Sequence, residues 1–155
     1  MEDKSRKDLK IPYKQPAFFI YGTDLDARKH PIFYKGTNNA TILQRADEDI
    51  RRLYKDKFTS KFALIITFDN IPIYNKPQAK QRFQAVIVSD YRKTYAILNY
   101  DKLTVTATFS FYENGCNYDY FIKKTDSRLL FERSNIGIKS RHVYLLSSLD
   151  FEGNI

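Results

Sequence analysis

Few side chains in this sequence have the types and the spacing that catalysis requires. The chain has one cysteine, Cys116, and two histidines, His30 and His142, all distant from one another along the sequence. A catalytic thiol needs a neighbouring base or cation that forms the thiolate, and nothing in the sequence orients or activates this one. No phosphate-binding loop, dinucleotide fingerprint or nucleophile elbow is present. We therefore predict that the chain is not an enzyme and needs no cofactor.

A metal site is also not predicted. Asp24 and Asp26 are spaced like two ligands of a calcium loop, but the glycine and later ligands of an EF-hand do not follow. A polar loop is the better interpretation of this segment. Because Cys116 is the one cysteine, it cannot form a disulfide within the chain. It is either a buried free thiol or is paired outside this chain.

Basic residues are more informative than the candidate catalytic groups. The chain has 26 lysines and arginines against 18 acidic residues and a formal charge of +8. Such a charge favours acidic partners such as sulfated glycans, nucleic acid or anionic membranes, or it marks a solvated surface without a partner. We predict a basic patch that contacts such a partner, made of Lys76, Lys80, Arg82, Lys123, Lys124, Arg128, Arg133, Lys139 and Arg141.

The tripeptide Asn39-Ala40-Thr41 is an acceptor sequence for N-glycosylation. It lies just before a predicted helix, at a position that we expect to be exposed. The acceptor is informative only if the protein is secreted. Asn39 is therefore predicted as a glycosylation site on that condition.

One helix is predicted, over about residues 42–56. Thr41 is the predicted N-cap, and Gln44 completes a capping box three residues later. Apolar residues recur at helical spacing from Ile42 to Tyr54. Acidic residues come early and basic residues late, which complements the helix dipole. We expect the apolar stripe to pack on a core and the charged face to be solvated.

The remaining patterns are typical of β-strands. Tyrosine and phenylalanine, twelve of each, favour strands. Residues 62–68 form an apolar run that suits a strand buried on both faces, and residues 103–112 alternate with a period of two. A turn is expected at Asp69 and Asn70, and a loop over 75–80. The predicted strands are 17–21, 31–35, 62–68, 83–88, 94–100, 103–112, 118–122, 128–131 and 142–146.

These elements predict a single α+β, β-rich domain. We expect a mostly antiparallel sheet or sandwich of about eight or nine strands with the amphipathic helix packed on it. The domain covers residues 17–150, between a flexible lead-in at 1–16 and a tail at 151–155. No apolar run approaches the roughly 20 residues that span a bilayer. The charged first ten residues are not a signal peptide, so the chain is either intracellular or part of a longer secreted precursor.

Four motifs in order resemble the nidogen-like (NIDO) domain family. The central motif is RFQAVIVSD at 82–90, followed by TYAILNY at 94–100. The other motifs are LQRA at 43–46, ALIITFDNI at 63–71 and SNIG at 134–137. Phe68 stands where the family usually has tryptophan, and residues 139–142 depart from the usual pattern. The signature residues, which we expect to form the scaffold, are Phe68, Phe83, Gln84, Val86, Ile97, Tyr100, Asn135 and Gly137.

The resemblance implies a non-catalytic extracellular or cell-surface module within a longer chain. Family members take part in cell–matrix adhesion and matrix assembly, so the implied partners are matrix or cell-surface proteins and, through the basic residues, sulfated glycans. The signature implies no active site. The alternative, which follows from the charge and the absence of disulfides, is an intracellular β-rich domain that binds nucleic acid through its basic edges and tyrosines.

Overall fold

The computed structural model describes residues 17–21, 23–55, 57–104, 109–113, 123–124 and 127–148. Within these residues the chain forms eight strands and two helices, and neither helix is long and apolar enough to cross a membrane. The elements are β1 (Ala17–Phe19), β2 (Ile32–Thr37), α1 (Ala40–Tyr54), β3 (Phe62–Ile73), β4 (Lys76–Ser89), β5 (Lys93–Lys102), β6 (Phe109–Glu113), β7 (Lys123–Lys124), α2 (Ser127–Glu132) and β8 (Arg141–Ser148).

The main sheet has five strands in the order β2-β3-β4-β5-β8, and every neighbouring pair is antiparallel. A smaller sheet has the order β1-β6-β7. Consecutive strands from β2 to β5 are neighbours in space, as short connections favour. The predicted β-rich, α+β fold is confirmed.

Helix α1 packs on one face of the main sheet. Leu43, Ala46 and Ile50 are buried on the predicted apolar stripe and join a cluster with side chains from β3, β4, β5 and β8. The N-cap is Asn39 instead of Thr41, because the Asn39 side chain accepts hydrogen bonds from the first turn. The helix ends at Tyr54 and is capped by Lys55, whose φ of 51° is left-handed.

The opposite face of the main sheet carries a second, more aromatic cluster. Phe83 and Tyr100 are almost fully buried there, and Tyr21, just after β1, packs on them. Leu130 of α2 joins the same cluster. The sheet is thus covered by α1 on one face and by α2 and the segment after β1 on the other.

The β3–β4 hairpin is longer than predicted. Instead of turning at Asp69 and Asn70, β3 continues to Ile73 through a register shift at which Asn70 has a φ of 53°. The turn is at Tyr74 and Asn75, and the predicted loop over 75–80 is the start of β4. Pro77 is tolerated because the register of β5 on β4 begins only at Arg82, so this part of β4 has β3 as its described neighbour.

Two other strand predictions differ from the structure. Residues 128–131 lie in the short helix α2, because an apolar run of this length suits either conformation and Leu130 reaches the core from a helix. Of the predicted strand 103–112, residues 103 and 104 are not in a strand, 105–108 lie outside the described residues, and β6 begins at Phe109. The predicted strand 118–122 also lies outside the described residues.

Candidate functional site

A row of polar side chains crosses the main sheet on the face that carries α1. The strand register places Thr67, Gln84, Asn99 and Arg141 side by side on β3, β4, β5 and β8. Gln84 donates to Thr67 Oγ1 at 2.9 Å, and Asn99 donates to Gln84 Oε1 at 3.3 Å. Arg141 donates through Nε to Asn99 Oδ1 at 2.8 Å and through Nη1 to Asp49 Oδ2 at 2.6 Å. The row therefore connects four strands to the helix.

The carboxylates of α1 are partly enclosed, so the prediction of a solvated charged face is wrong for two of them. The Asp49 side chain is 7% exposed and its partner Arg141 is 19% exposed. Asp47 is buried, accepts a hydrogen bond from the Ser60 backbone N–H at 3.0 Å and lies 3.5 Å from Arg51. A buried carboxylate is stable only with such partners. The contacts of Asp47 and Asp49 are therefore structural.

A second polar cluster lies next to the first row, where the register of β4 shifts against both β3 and β5. Arg82 on β4 lies 3.0 Å from Asp69 on β3 and 2.9 Å from Asp101 on β5. The side chains of Arg82 and Asp69 are about half exposed, and that of Asp101 is more exposed still. Arg82 and Arg141, two members of the predicted basic patch, therefore have their charges compensated by neighbouring carboxylates.

The other predicted basic residues lie on several elements. Lys76 and Lys80 are exposed at the start of β4. Arg133 and Lys139 are exposed between α2 and β8, and Lys139 Nζ lies 4.8 Å from the centre of the Phe131 ring. The side chains of the remaining three are outside the described part of the structure, which places their backbones in β7 and α2: Lys123, Lys124 and Arg128.

The acceptor asparagine of the glycosylation sequence is exposed at the end of β2. Asn39 Oδ1 accepts hydrogen bonds from the backbone N–H groups of Thr41 at 3.1 Å and Ile42 at 3.2 Å. Its own backbone N–H donates to Thr37 Oγ1 at 3.1 Å. An N-glycan is attached through the side-chain nitrogen, so the oxygen that caps the helix would be retained.

The segment around Asp24 and Asp26, predicted to be a polar loop, is held against the end of β3. Asp26 accepts two hydrogen bonds of 2.7 Å from the Arg28 guanidinium, which lower the pKa of Asp26 to about 2. The Asp26 backbone N–H donates to Pro72 O, and Tyr74 N donates to Asp24 O. Across the described residues, no three His, Cys, Asp or Glu side chains come together as a metal site. Cys116 lies outside the described residues.

His142 is buried on the face of the main sheet that carries the aromatic cluster. One ring nitrogen lies 2.9 Å from Leu130 O, and the ring contacts Tyr100 edge-on and Tyr144 face-on. Burial lowers the pKa of His142, against the opposing effect of its hydrogen bond to Leu130 O. The folded protein therefore favours the neutral imidazole.

This lowered pKa predicts acid-sensitive stability. Above the unfolded-state pKa of about 6.5 both states are neutral and the stability is full. As the pH falls below that value, the unfolded chain binds the proton first, and stability is lost until the pH passes the folded-state pKa. Urea unfolding at pH values on either side of 6.5 measures the loss, which we expect to be smaller in His142→Phe. An equal loss in the variant would assign the effect to other groups.

Strand β2 presents large apolar side chains to solvent. Ile32, Phe33 and Tyr34 are 41%, 53% and 80% exposed, although they belong to the main sheet. The ring of Phe62 lies over Gly36, where an added Cβ would come within 3.0 Å of it, so the aromatic surface extends along the strand. A strand at 31–35 was predicted, but nothing in its local pattern indicated that its side chains are exposed.

The family model of the nidogen-like domain matches residues 4–148 of this chain. The chain belongs to the nidogen-like domain family. Alpha-tectorin from Mus musculus and from Homo sapiens is 34% identical over 79 residues, and alpha-tectorin from Gallus gallus is 29% identical over the same length. The aligned part is 48% of this chain and 4% of alpha-tectorin. No solved structure matches the chain.

The signature of this nidogen-like domain consists of residues that hold the sheet and its two clusters. Phe68 stacks on Phe83 with ring centres 4.4 Å apart, and Tyr100 lies beside Phe83 and donates from its hydroxyl to Ile20 O at 2.7 Å. Val86 and Ile97 pack under α1. Gln84 belongs to the polar row.

The last two signature residues fix the outer edge of β8. Asn135 donates to Val143 O at 2.7 Å and accepts from Val143 N at 2.9 Å, so one amide side chain imitates a neighbouring strand. Gly137 has a φ of 75°, which an L side chain rarely adopts. It lies in the turn in which Ser134 Oγ accepts from Ile136 N and Ile138 N.

Proposed function

We propose that this domain is a non-catalytic module of a longer extracellular protein that takes part in cell–matrix adhesion or matrix assembly. The observation that carries the proposal is the family match over residues 4–148. The similarity to alpha-tectorin supports the same setting, although the chain spans only 4% of that protein's length. The aromatic and polar residues of the signature serve the scaffold, which supports a role in binding other proteins instead of catalysis.

Secretion and glycosylation test the extracellular setting. When the complete gene is expressed in a secretory cell, we expect the product in the medium, with a mass decrease on treatment with peptide-N-glycosidase. Thr41→Ala removes the acceptor sequence but leaves the Asn39 cap, and Asn39→Asp keeps a capping carboxylate without a glycan. Both variants should lose the mass change.

The cap provides an internal control for this experiment. Asn39→Ala loses both the glycan and the cap, so it should also lower the free energy of unfolding by about 1 kcal/mol, whereas Asn39→Asp should not. A cytosolic, unglycosylated product would contradict the extracellular proposal. It would leave nucleic-acid binding as the leading function.

The exposed basic residues are the proposed contacts for sulfated glycans. Lys76 and Lys80 carry charges that no carboxylate within the described part of the chain compensates by an ion pair. We expect the pair Lys76→Glu and Lys80→Glu to elute from a heparin column at lower salt than a control of equal charge, made by changing the exposed Lys57 and Lys61 to glutamate. Elution of the two double variants at the same salt concentration would show that retention on the column depends only on net charge.

A further inference from the structure

The edges of the main sheet differ in how they are covered. At the β8 edge, Asn135 satisfies both the N–H and the C=O of Val143, and the Tyr54 hydroxyl accepts from Leu145 N at 2.9 Å. Beyond β2, the edge of β3 is covered by the loop at 24–26, which bonds to Pro72 and Tyr74. Natural sheets cover their edges in such ways because open backbone groups pair with other chains.

The outer edge of β2 has no comparable cover within the described residues. β2 pairs with β3 on one side, and the strand order ends there. The hydrogen bonds of the described region include none from a side chain to the outward backbone groups of residues 32–36. The side chains are also open: Ile32 and Tyr34 lie on one face of the strand, Phe33 and Lys35 on the other, and all four are exposed. This is the arrangement at which an extended peptide adds to a sheet.

We propose that β2 accepts an extended acidic segment of a partner protein as a sixth strand of the main sheet. This inference deepens the proposed binding role and rests on it. The strand Ile32–Thr37 contains no acidic residue, and Lys35 is exposed without an ion pair to a described carboxylate. Lys29, just before the strand, is also exposed. A glutamate or aspartate opposite Lys35 forms a favourable cross-strand pair.

The pleat of the strand defines the pattern of the partner. Side chains of an added strand alternate between the two faces. On one face they meet Ile32 and Tyr34, which suits an apolar residue, and on the other they meet Phe33 and Lys35, which suits an acidic one. The partner segment therefore alternates apolar and acidic residues.

The same charges disfavour a second copy of this chain as the occupant. In an antiparallel pairing of two β2 strands, the two Lys35 ammonium groups lie on neighbouring strands a few residues apart. Two chains of charge +8 also repel one another. An edge lysine is a common protection against self-pairing, and it does not oppose an acidic strand.

A short synthetic peptide that alternates valine and glutamate is the probe for this proposal. Titrated into ¹⁵N-labelled protein, it should shift the amide resonances of residues 32–37 and slow exchange of the outward amides of β2. The same peptide with N-methyl groups on alternate residues cannot form the backbone ladder, so we expect its binding to be lost. Lys35→Glu should weaken the glutamate peptide roughly fivefold or more and favour a valine–lysine peptide.

The control variant is Lys102→Glu, which makes the same charge change at an exposed position on β5 and should bind the glutamate peptide like the wild type. Absence of binding, shifts that map to the exposed lysines of β4, or equal binding of the N-methyl peptide would each overturn the proposal. So would a dimer formed through β2 in sedimentation. None of these results bears on secretion or on the Asn39 glycan, so the extracellular proposal is tested separately.

Discussion

Replacing Asp49 by alanine is expected to lower the free energy of unfolding by about 3 kcal/mol, because it leaves the Arg141 guanidinium in a mostly enclosed site without its carboxylate. The two groups are 2.6 Å apart, and the Arg141 side chain is 19% exposed. Arg141 also holds Asn99, so loss of the pair disturbs the polar row that joins the strands. Urea unfolding, monitored by circular dichroism, measures the change.

Asp26→Ala is the matched control for this prediction. Asp26 forms an equally short ion pair with Arg28, at 2.7 Å, but the arginine is 71% exposed. An exposed pair is screened by solvent and contributes little, so we expect a much smaller loss than for Asp49→Ala. Substituting Arg141 by methionine together with Asp49→Ala should recover part of the loss, because no unpaired charge remains. Equal losses in Asp49→Ala and Asp26→Ala would show that the enclosed pair contributes no more to the free energy of unfolding than the exposed pair.

The position of Asp49 also shows which features of the structure the sequence could not predict. The spacing of apolar residues located α1 and its buried stripe, because a period of 3.6 is a local property. Asp47 and Asp49 were assigned to solvent because they are charged. Their partners, Ser60 and Arg141, come from outside the helix, and Arg141 is 92 residues away from Asp49. Only the tertiary fold brings these groups together.

Local sequence does not decide which residue caps α1 or whether the α2 segment forms a strand or a helix. Asn39 and Thr41 are both favourable caps, and they are two residues apart. The capping box favoured Thr41, but Asn39 reaches two N–H groups at once. In α2, Leu130 and Phe131 could lie on a strand or on a helix, and the contact of Leu130 with the aromatic cluster decides for the helix.

The exposure of β2 could not be predicted from its residues. The run from Ile32 to Tyr34 has the composition of a buried strand, and its exposure follows from strand order, which places it at the end of the main sheet. The central strands were predicted well because residues 83–88 and 94–100 are mostly apolar on both faces, as expected for strands with two neighbours and two covered faces. Contiguous exposed apolar side chains such as these often mark an interaction surface.

Phe83→Ala is the second substitution that we expect to lower the free energy of unfolding strongly, and Phe33→Ala is its comparison. Phe83 is 2% exposed, stacks on Phe68 and contacts Tyr21 and Tyr100. Phe83→Ala removes a ring from the centre of the aromatic cluster and leaves a cavity that the surrounding rings fill only in part. We therefore expect the free energy of unfolding to fall by about 3–5 kcal/mol, measured by urea unfolding.

The same substitution at Phe33 separates packing from binding. Phe33 is 53% exposed on β2, so Phe33→Ala should change the free energy of unfolding by no more than about 0.5 kcal/mol. If β2 is a strand-addition edge, this variant should bind the valine–glutamate peptide more weakly while its stability is unchanged, because the ring no longer packs on the methylene groups of the glutamate that faces it across the strands. A large loss of stability in Phe33→Ala would mean that β2 is covered within the chain, and the edge would then not be open to a partner.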